Sequence, residues 1–90
     1  MMLDTLSCLE RFATAIRLHA DLSVQRISFG DPAYVYVRNR FSNTLAETVT
    51  CSQDGRFITS WGYRLGTSEN IDGAAARLAF LLAALPTPQV

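Results

Sequence analysis

The chain has 90 residues, of which 49% are apolar and 18% are charged, so it is long enough for one folded core and too short for two. This balance excludes the class of disordered chains, which combine low hydrophobicity with high charge. Eight arginines balance eight acidic residues, and the zero net charge offers no long-range attraction to nucleic acid or to an anionic membrane. The first residues lack the basic and apolar regions of a signal peptide, and no run of about 18 apolar residues occurs, so we expect a cytoplasmic protein.

An amphipathic N-terminal helix is predicted between Asp4 and about Asp21. Its apolar residues recur at steps of three and four positions, which is the spacing of one helix face. They are Leu6, Leu9, Phe12, Ala13, Ile16 and Ala20. We therefore expect this face to pack on a core.

The middle of the chain contains four β-rich runs separated by turn residues. The predicted strands are 24–29, 33–41, 45–52 and 57–61. Because the connections between them are short, the strands are expected to form a four-stranded antiparallel meander.

The third and fourth predicted strands are joined at Asp54-Gly55, a dipeptide that favours a two-residue type I′ hairpin turn. That turn fixes the register, and alternate residues then point to opposite faces of the sheet. The core face is predicted to carry Val49, Cys51 and Ile58, and the outer face Thr48, Thr50, Phe57 and Trp61.

A loop is predicted around Gly62, Gly66 and Thr67, before a last helix that starts at Ser68 or Asn70 and ends before Pro86. The predicted fold class is α+β, with an N-terminal helix, the meander and a C-terminal helix, both helices lying on one face of the sheet. Residues 1–85 form the predicted domain, and residues 86–90 a flexible tail.

The outer face of the sheet is the first candidate for function. The residues predicted to bind a partner there are Tyr34, Tyr36, Arg38, Arg40, Phe57 and Trp61. Tyrosine, tryptophan and arginine are enriched at binding hot spots, which favours a protein partner or self-association. The alternatives are a nucleic acid, a small ligand, or a half-exposed sheet face whose arginine stems cover the rings without any partner.

The last helix is the second candidate, because it is apolar nearly all round. Its predicted interface residues are Arg77, Phe80, Leu81 and Leu82. Either both sides are covered by the sheet and the first helix, or one side is shared with a second copy or another protein. A 90-residue domain has a small stability margin, so a homodimer is expected.

No catalytic residue, metal site or cofactor is predicted. His19, the only histidine, stands eleven residues after Cys8, about 16 Å along a helix, and Cys51 among apolar neighbours is expected to be an inert, reduced thiol. Two separated cysteines and one histidine do not supply four zinc ligands, and no phosphate-binding glycine loop occurs. The sequence does not group the acidic residues Asp31, Glu47, Asp54 and Asp72 into a catalytic pair.

The order of elements resembles that of double-stranded-RNA-binding domains, whose final helix also follows a segment like Gly66-Thr67-Ser68. That family places lysines at the start of this helix, whereas here Glu69 and Asp72 would repel phosphate. The resemblance therefore argues against nucleic acid as the partner.

A second resemblance covers roughly the second half of the chain. Leu45 to Cys51 (LAETVTC), Trp61 to Gly66 (WGYRLG) and Ile71 to Ala75 (IDGAA) form a pattern that resembles small uncharacterised actinobacterial proteins. It implies a cytoplasmic, accessory role and no particular mechanism. The sequence as a whole therefore favours a non-enzymatic protein-interaction or accessory module. The alternatives are a small-molecule-binding domain or minor enzyme with a pocket between sheet and helices, or an RNA-binding domain.

Overall fold

The computed structural model of the chain describes residues 5–30, 32–42 and 44–83. Its helices are α1 (Thr5–Arg17) and α2 (Ile71–Leu81), the latter preceded by a short 3-10 helix (Ser68–Asn70). Its strands are β1 (Leu22–Ser28), β2 (Tyr34–Asn39), β3 (Ala46–Cys51), β4 (Arg56–Thr59) and β5 (Arg64–Thr67). The predicted tail lies outside the described residues, whereas α2 ends at Leu81, inside them.

The five strands pair in chain order, each antiparallel to the next. This meander between two helices confirms the α+β class, but the predicted number of four strands was wrong. The loop predicted around Gly66 is strand β5, in which Arg64 pairs with Ile58 and Thr67 pairs with Arg56. Gly66 is needed there because a Cβ at this position would lie 3.1 Å from the Cβ of Ala74 on α2.

Both helices contribute to one core on a single face of the sheet. Helix α1 contacts β1, β2 and β3, whereas α2 contacts β5 and α1. The buried side chains from α1 are Cys8, Leu9, Phe12, Ala13, Ala15 and Ile16, and those from the strands include Leu22, Val35, Val37, Val49, Phe57 and Leu65. The other face of the sheet, here called the outer face, carries neither α1 nor α2.

Helix α1 ends four residues before its predicted end. The amide of Leu18 donates to the carbonyl of Ala15 at 3.2 Å and that of His19 to Ile16 at 2.9 Å, which tightens the last turn. The carbonyl of His19 then accepts from Leu22, the first residue of β1. The chain turns here because Leu22 is fully buried in the core.

Helix α2 starts at one of its two predicted positions. The side-chain oxygen of Asn70 accepts a hydrogen bond from the amide of Gly73 at 3.0 Å, so Asn70 is the N-cap. At the other end, the buried side chain of Asn39 on β2 donates to the carbonyl of Leu82 at 2.7 Å and accepts from the amide of Phe41 at 2.8 Å. These bonds fix the end of α2 on the sheet.

The turn between β3 and β4 has three residues, so the predicted two-residue type I′ turn was wrong. Type I′ requires a positive φ at Asp54, and none of the described non-glycine residues has one, whereas Gly55 has φ 83°. The amide of Gly55 donates to the carbonyl of Ser52 at 2.9 Å, and the amide of Ser52 donates to the carbonyl of Arg56 at 2.8 Å. The turn is therefore a type I turn closed by a glycine bulge.

The extra turn residue shifts the register by one and reverses the facing of β4. Cys51 pairs with Phe57 and Thr50 with Ile58, instead of Cys51 with Ile58. Phe57 is consequently buried in the core, where its ring stacks on Phe12 with centroids 4.7 Å apart, and Ile58 lies on the outer face. The predicted core positions of Val49 and Cys51 are confirmed. Phe57 was predicted on the outer face and Ile58 in the core, and both predictions were wrong.

The turn between β4 and β5 repeats this geometry. The amide of Gly62, with φ 88°, donates to the carbonyl of Thr59 at 3.0 Å, and the amide of Thr59 donates to the carbonyl of Tyr63 at 2.9 Å. In both turns the hydroxyl of the first residue accepts from the amide of the fifth, Ser52 from Arg56 and Thr59 from Tyr63. Two turns of one kind thus join the last three strands.

Candidate binding surfaces

Within residues 5–30, 32–42 and 44–83, no helix covers the outer face, which presents the side chains of its own strands. They include Arg26 on β1, Tyr34, Tyr36 and Arg38 on β2, Thr48 and Thr50 on β3, Arg56 and Ile58 on β4, and Arg64 and Thr67 on β5. Four of the eight arginines of the chain therefore lie on this face.

The middle of the outer face differs in chemistry from its margins. Tyr36 stands between Arg26 and Thr48 on the neighbouring strands. Ile58 stands between Thr50 and Arg64. Because adjacent strands are about 4.8 Å apart, β1 and β5 lie about 19 Å from each other. Aromatic, hydroxyl and aliphatic groups are thus bordered on both sides by guanidinium groups.

The arginines of this face are largely without acidic partners. Arg56 forms a salt bridge with Asp54 at 3.2 Å. A hydrogen bond from Ser52, and then the charge of Arg56, lower the pKa of the Asp54 carboxyl. Within the described ranges, Arg26, Arg38 and Arg64 form no salt bridge. The outer face therefore has a net positive charge even though the whole chain has none.

The structure separates the six residues predicted to bind a partner. Tyr34, Tyr36 and Arg38 lie on the outer face as expected. Arg40 lies beyond the end of β2, and its guanidinium donates to the carbonyl of Leu22 at 3.4 Å. The predicted outer-face positions of Phe57 and Trp61 were wrong, because Phe57 is in the core and Trp61 lies on the helix side of the sheet.

Aromatic side chains form a second surface beside α2. Trp61, which is 62% exposed, contacts Tyr63, with ring centroids 5.2 Å apart. The Tyr63 hydroxyl accepts a hydrogen bond from Arg77 at 3.4 Å, and Phe80 nearby is 78% exposed.

The four residues of the predicted α2 interface differ in solvent exposure. Arg77 and Phe80 are exposed and Leu81 is half-buried. Leu82 is only 6% exposed, because it packs into the core of its own chain. Its place in the predicted interface was therefore wrong.

A cleft of about 180 Å³ opens next to this surface, between the start of β3, the turn after β4 and the end of α2. Glu47, the one ionisable residue among the described residues that line it, stands on the core-facing side of β3, in phase with Val49 and Cys51. One carboxylate oxygen, Oε1, accepts hydrogen bonds from the amides of Thr48 at 2.8 Å and Ser60 at 3.2 Å, and from the Ser60 hydroxyl.

The two cysteines meet in the core, although 42 residues separate them in the sequence. Both are free thiols. Burial, together with the adjacent Cys8 thiol, raises the pKa of Cys51 to about 12. A thiol with so high a pKa is not an activated nucleophile at neutral pH.

In the part of the chain that the structure describes, no three His, Cys, Asp or Glu side chains group in a way that could hold a metal ion. The helices of the same ranges lack the length and hydropathy needed to cross a bilayer. Comparison with protein-family models, with curated proteins and with solved structures gives no match. Surface chemistry is therefore the basis for assigning a function.

Proposed function

We propose that the chain is a non-enzymatic interaction module that binds a protein partner through the outer face of its sheet. The observation that supports this proposal is the arrangement of that face, with Tyr36, Thr48 and Ile58 in the middle and unpaired arginines at the margins. Protein interfaces have the same anatomy, a less polar centre within a polar rim. The complementary partner presents an apolar patch bordered by carboxylates.

Charge favours an acidic protein over a nucleic acid as this partner. Binding to a nucleic acid draws most of its free energy from many phosphate contacts. Here the chain has no net charge, and Asp54 already engages one of the four outer-face arginines. Arg26 and Arg64 stand on opposite edge strands with uncharged groups between them, which suits separate carboxylates better than a continuous phosphate backbone.

Photocrosslinking tests the outer face directly. A benzoylphenylalanine in place of Tyr36 is expected to form an adduct of one defined mass with a protein in the native host, because this position is central in the proposed interface. The matched control places the same group at Thr14, which is exposed on α1. Changing Arg26 and Arg64 to Glu is expected to abolish the Tyr36 adduct, whereas changing Arg11 and Arg17 on α1 is not.

The outcomes discriminate between the partner classes. A nuclease-resistant, protease-sensitive adduct that requires Arg26 and Arg64 supports the proposal. A nuclease-sensitive adduct would replace the protein partner by a nucleic acid. The same adducts from the Thr14 and Tyr36 positions, or none from either, would remove the outer face as a binding surface.

Self-association through α2 remains a second proposal, and the exposure of Phe80 favours it. A large aromatic side chain that is 78% exposed gains free energy when a second copy covers it. Light scattering at increasing concentration is expected to show a dimer for the wild type and a monomer for Phe80→Arg, while Leu18→Arg, at an exposed position just after α1, stays dimeric. A wild type that is monomeric at high concentration refutes the dimer. The cytoplasmic setting likewise remains a prediction.

A further inference from the structure

The cleft that Glu47 lines combines an apolar wall with a single fixed charge. Its apolar lining consists of Leu45, Ala46, Trp61, Leu78, Leu81 and Leu82. Among the residues that the structure describes, no arginine or histidine lines it, so none of them gives the carboxylate a counter-charge within the cleft. A carboxylate without a counter-charge beside an apolar wall suits a ligand that combines a cationic group with a hydrocarbon part.

The protein holds this carboxylate in place with only one of its two oxygens. Oε1 accepts all three hydrogen bonds from Thr48 and Ser60, which belong to β3 and to the turn after β4. Oε2 accepts no hydrogen bond from any residue in the described ranges. A carboxylate fixed at one oxygen and unpartnered at the other is prepared to accept a hydrogen bond from a ligand.

The apolar part of the cleft determines the rest of the ligand. Leu78 and Leu81 offer hydrocarbon contacts, and the exposed indole of Trp61 can cover an apolar body or face a cation. At about 180 Å³ the cleft is smaller than the roughly 300 Å³ at which pockets for drug-sized ligands begin. The ligand is therefore small.

We propose that this cleft binds the ammonium group of a small amphipathic amine, with Glu47 accepting the N–H bonds and the leucines contacting the hydrocarbon part. The proposal is independent of the outer-face interaction, because the cleft lies on the helix side of the sheet. Both a free amine and a lysine side chain of a protein carry such an ammonium group, and a blocked lysine distinguishes the two sources.

Trp61 is the only tryptophan of the chain and lines the cleft, so its fluorescence reports binding directly. The probes are 2-phenylethylamine and its uncharged counterpart 2-phenylethanol, titrated at neutral pH into the wild-type protein. Since hydrogen bonds to charged groups are stronger than neutral ones, the amine is expected to bind about ten-fold to a hundred-fold more tightly than the alcohol. Glu47→Gln, which keeps an oxygen to accept from Ser60, is expected to reduce amine affinity to that of the alcohol.

The matched control is Asp72→Asn, which removes an exposed carboxylate of α2 that does not line the cleft and is expected to leave amine affinity unchanged. Equal affinity of the wild type for amine and alcohol, or no binding of either, overturns the proposal even if the Gln variant fails to fold. Full amine binding by a folded Glu47→Gln variant also overturns it. If the amine binds, the titration is repeated with a lysine whose α-amino and carboxyl groups are both blocked. Equal affinity for this lysine assigns the site to a lysine side chain of a protein. A lack of such binding assigns the site to a free amine.

Discussion

Replacing Phe57 by Ala tests the register on which the outer face depends. Phe57 is fully buried and stacks on Phe12, so the substitution removes a large side chain from the core together with an aromatic pair. The expected loss is about 3–5 kcal/mol of unfolding free energy. Ile58→Ala is the matched variant one position along the strand. Because Ile58 is half-buried on the outer face, it is expected to lose about 1 kcal/mol.

Guanidinium chloride denaturation followed by circular dichroism measures both losses. With a total stability of about 5–15 kcal/mol for a domain of this kind, Phe57→Ala shifts the midpoint strongly or unfolds the protein, whereas Ile58→Ala shifts it slightly at an unchanged slope. The opposite order, with Ile58→Ala the more damaging change, would show that β4 turns its other side to the core. The outer face would then have to be redrawn with Phe57 on it.

Three further predictions, with four substitutions, test other parts of the structure by the same denaturation assay. Gly55→Ala and Gly62→Ala each put a side chain at positive φ, at a cost of about 1–2 kcal/mol. At Gly55 the new Cβ would also lie 2.5 Å from the hydroxyl oxygen of Ser68, whereas at Gly62 it meets nothing within 4 Å. Gly55→Ala is therefore expected to be the more destabilising. Asn39→Leu removes the side chain that bonds the buried Leu82 carbonyl and the part-buried Phe41 amide, and it is expected to cost about 2–4 kcal/mol; a loss below 1 kcal/mol would contradict this role. The pKa of Cys51 is about 12 in the folded protein, whereas that of the unfolded thiol is near 9. Unfolding then releases a proton above pH 9, so the free energy of unfolding should fall there by up to about 1.4 kcal/mol per pH unit. A Cys51→Ala variant should lack that part of the decline.

Periodicity predicted the order of elements and most of the core. Steps of three and four positions identify α1, and alternation places Val35 and Val37 inside, because these patterns depend only on local backbone geometry. Strand β5 was not predicted, because Gly66 is a poor strand residue by itself. What requires it is the close approach of α2, a tertiary contact that no local pattern contains.

The candidate sites depended on the length of one turn. Asp54-Gly55 suits both a two-residue and a three-residue hairpin, and the choice between them reverses the facing of every residue on β4. A usable signal exists, since Ser52 and Thr59 each stand three residues before a glycine and accept the same backbone hydrogen bond. Glu47 was visible in a similar way, as a carboxylate in phase with two core residues of its strand. Arg26 reaches the outer face only through the bulge in β1.

The division of the sheet between the two helices has a consequence during synthesis on the ribosome. Strands that pair in chain order can form hairpins as they emerge, and α1 is already available to cover β1, β2 and β3. Strand β5 must wait for α2, which is made after all five strands, and the side chain of Asn39 waits still longer for the carbonyl of Leu82. Until then Leu65 has no cover from α2, so the nascent chain is open to aggregation at this stage, and a ribosome that stalls before Leu78 holds a sheet that lacks the core residues Leu78 and Leu82.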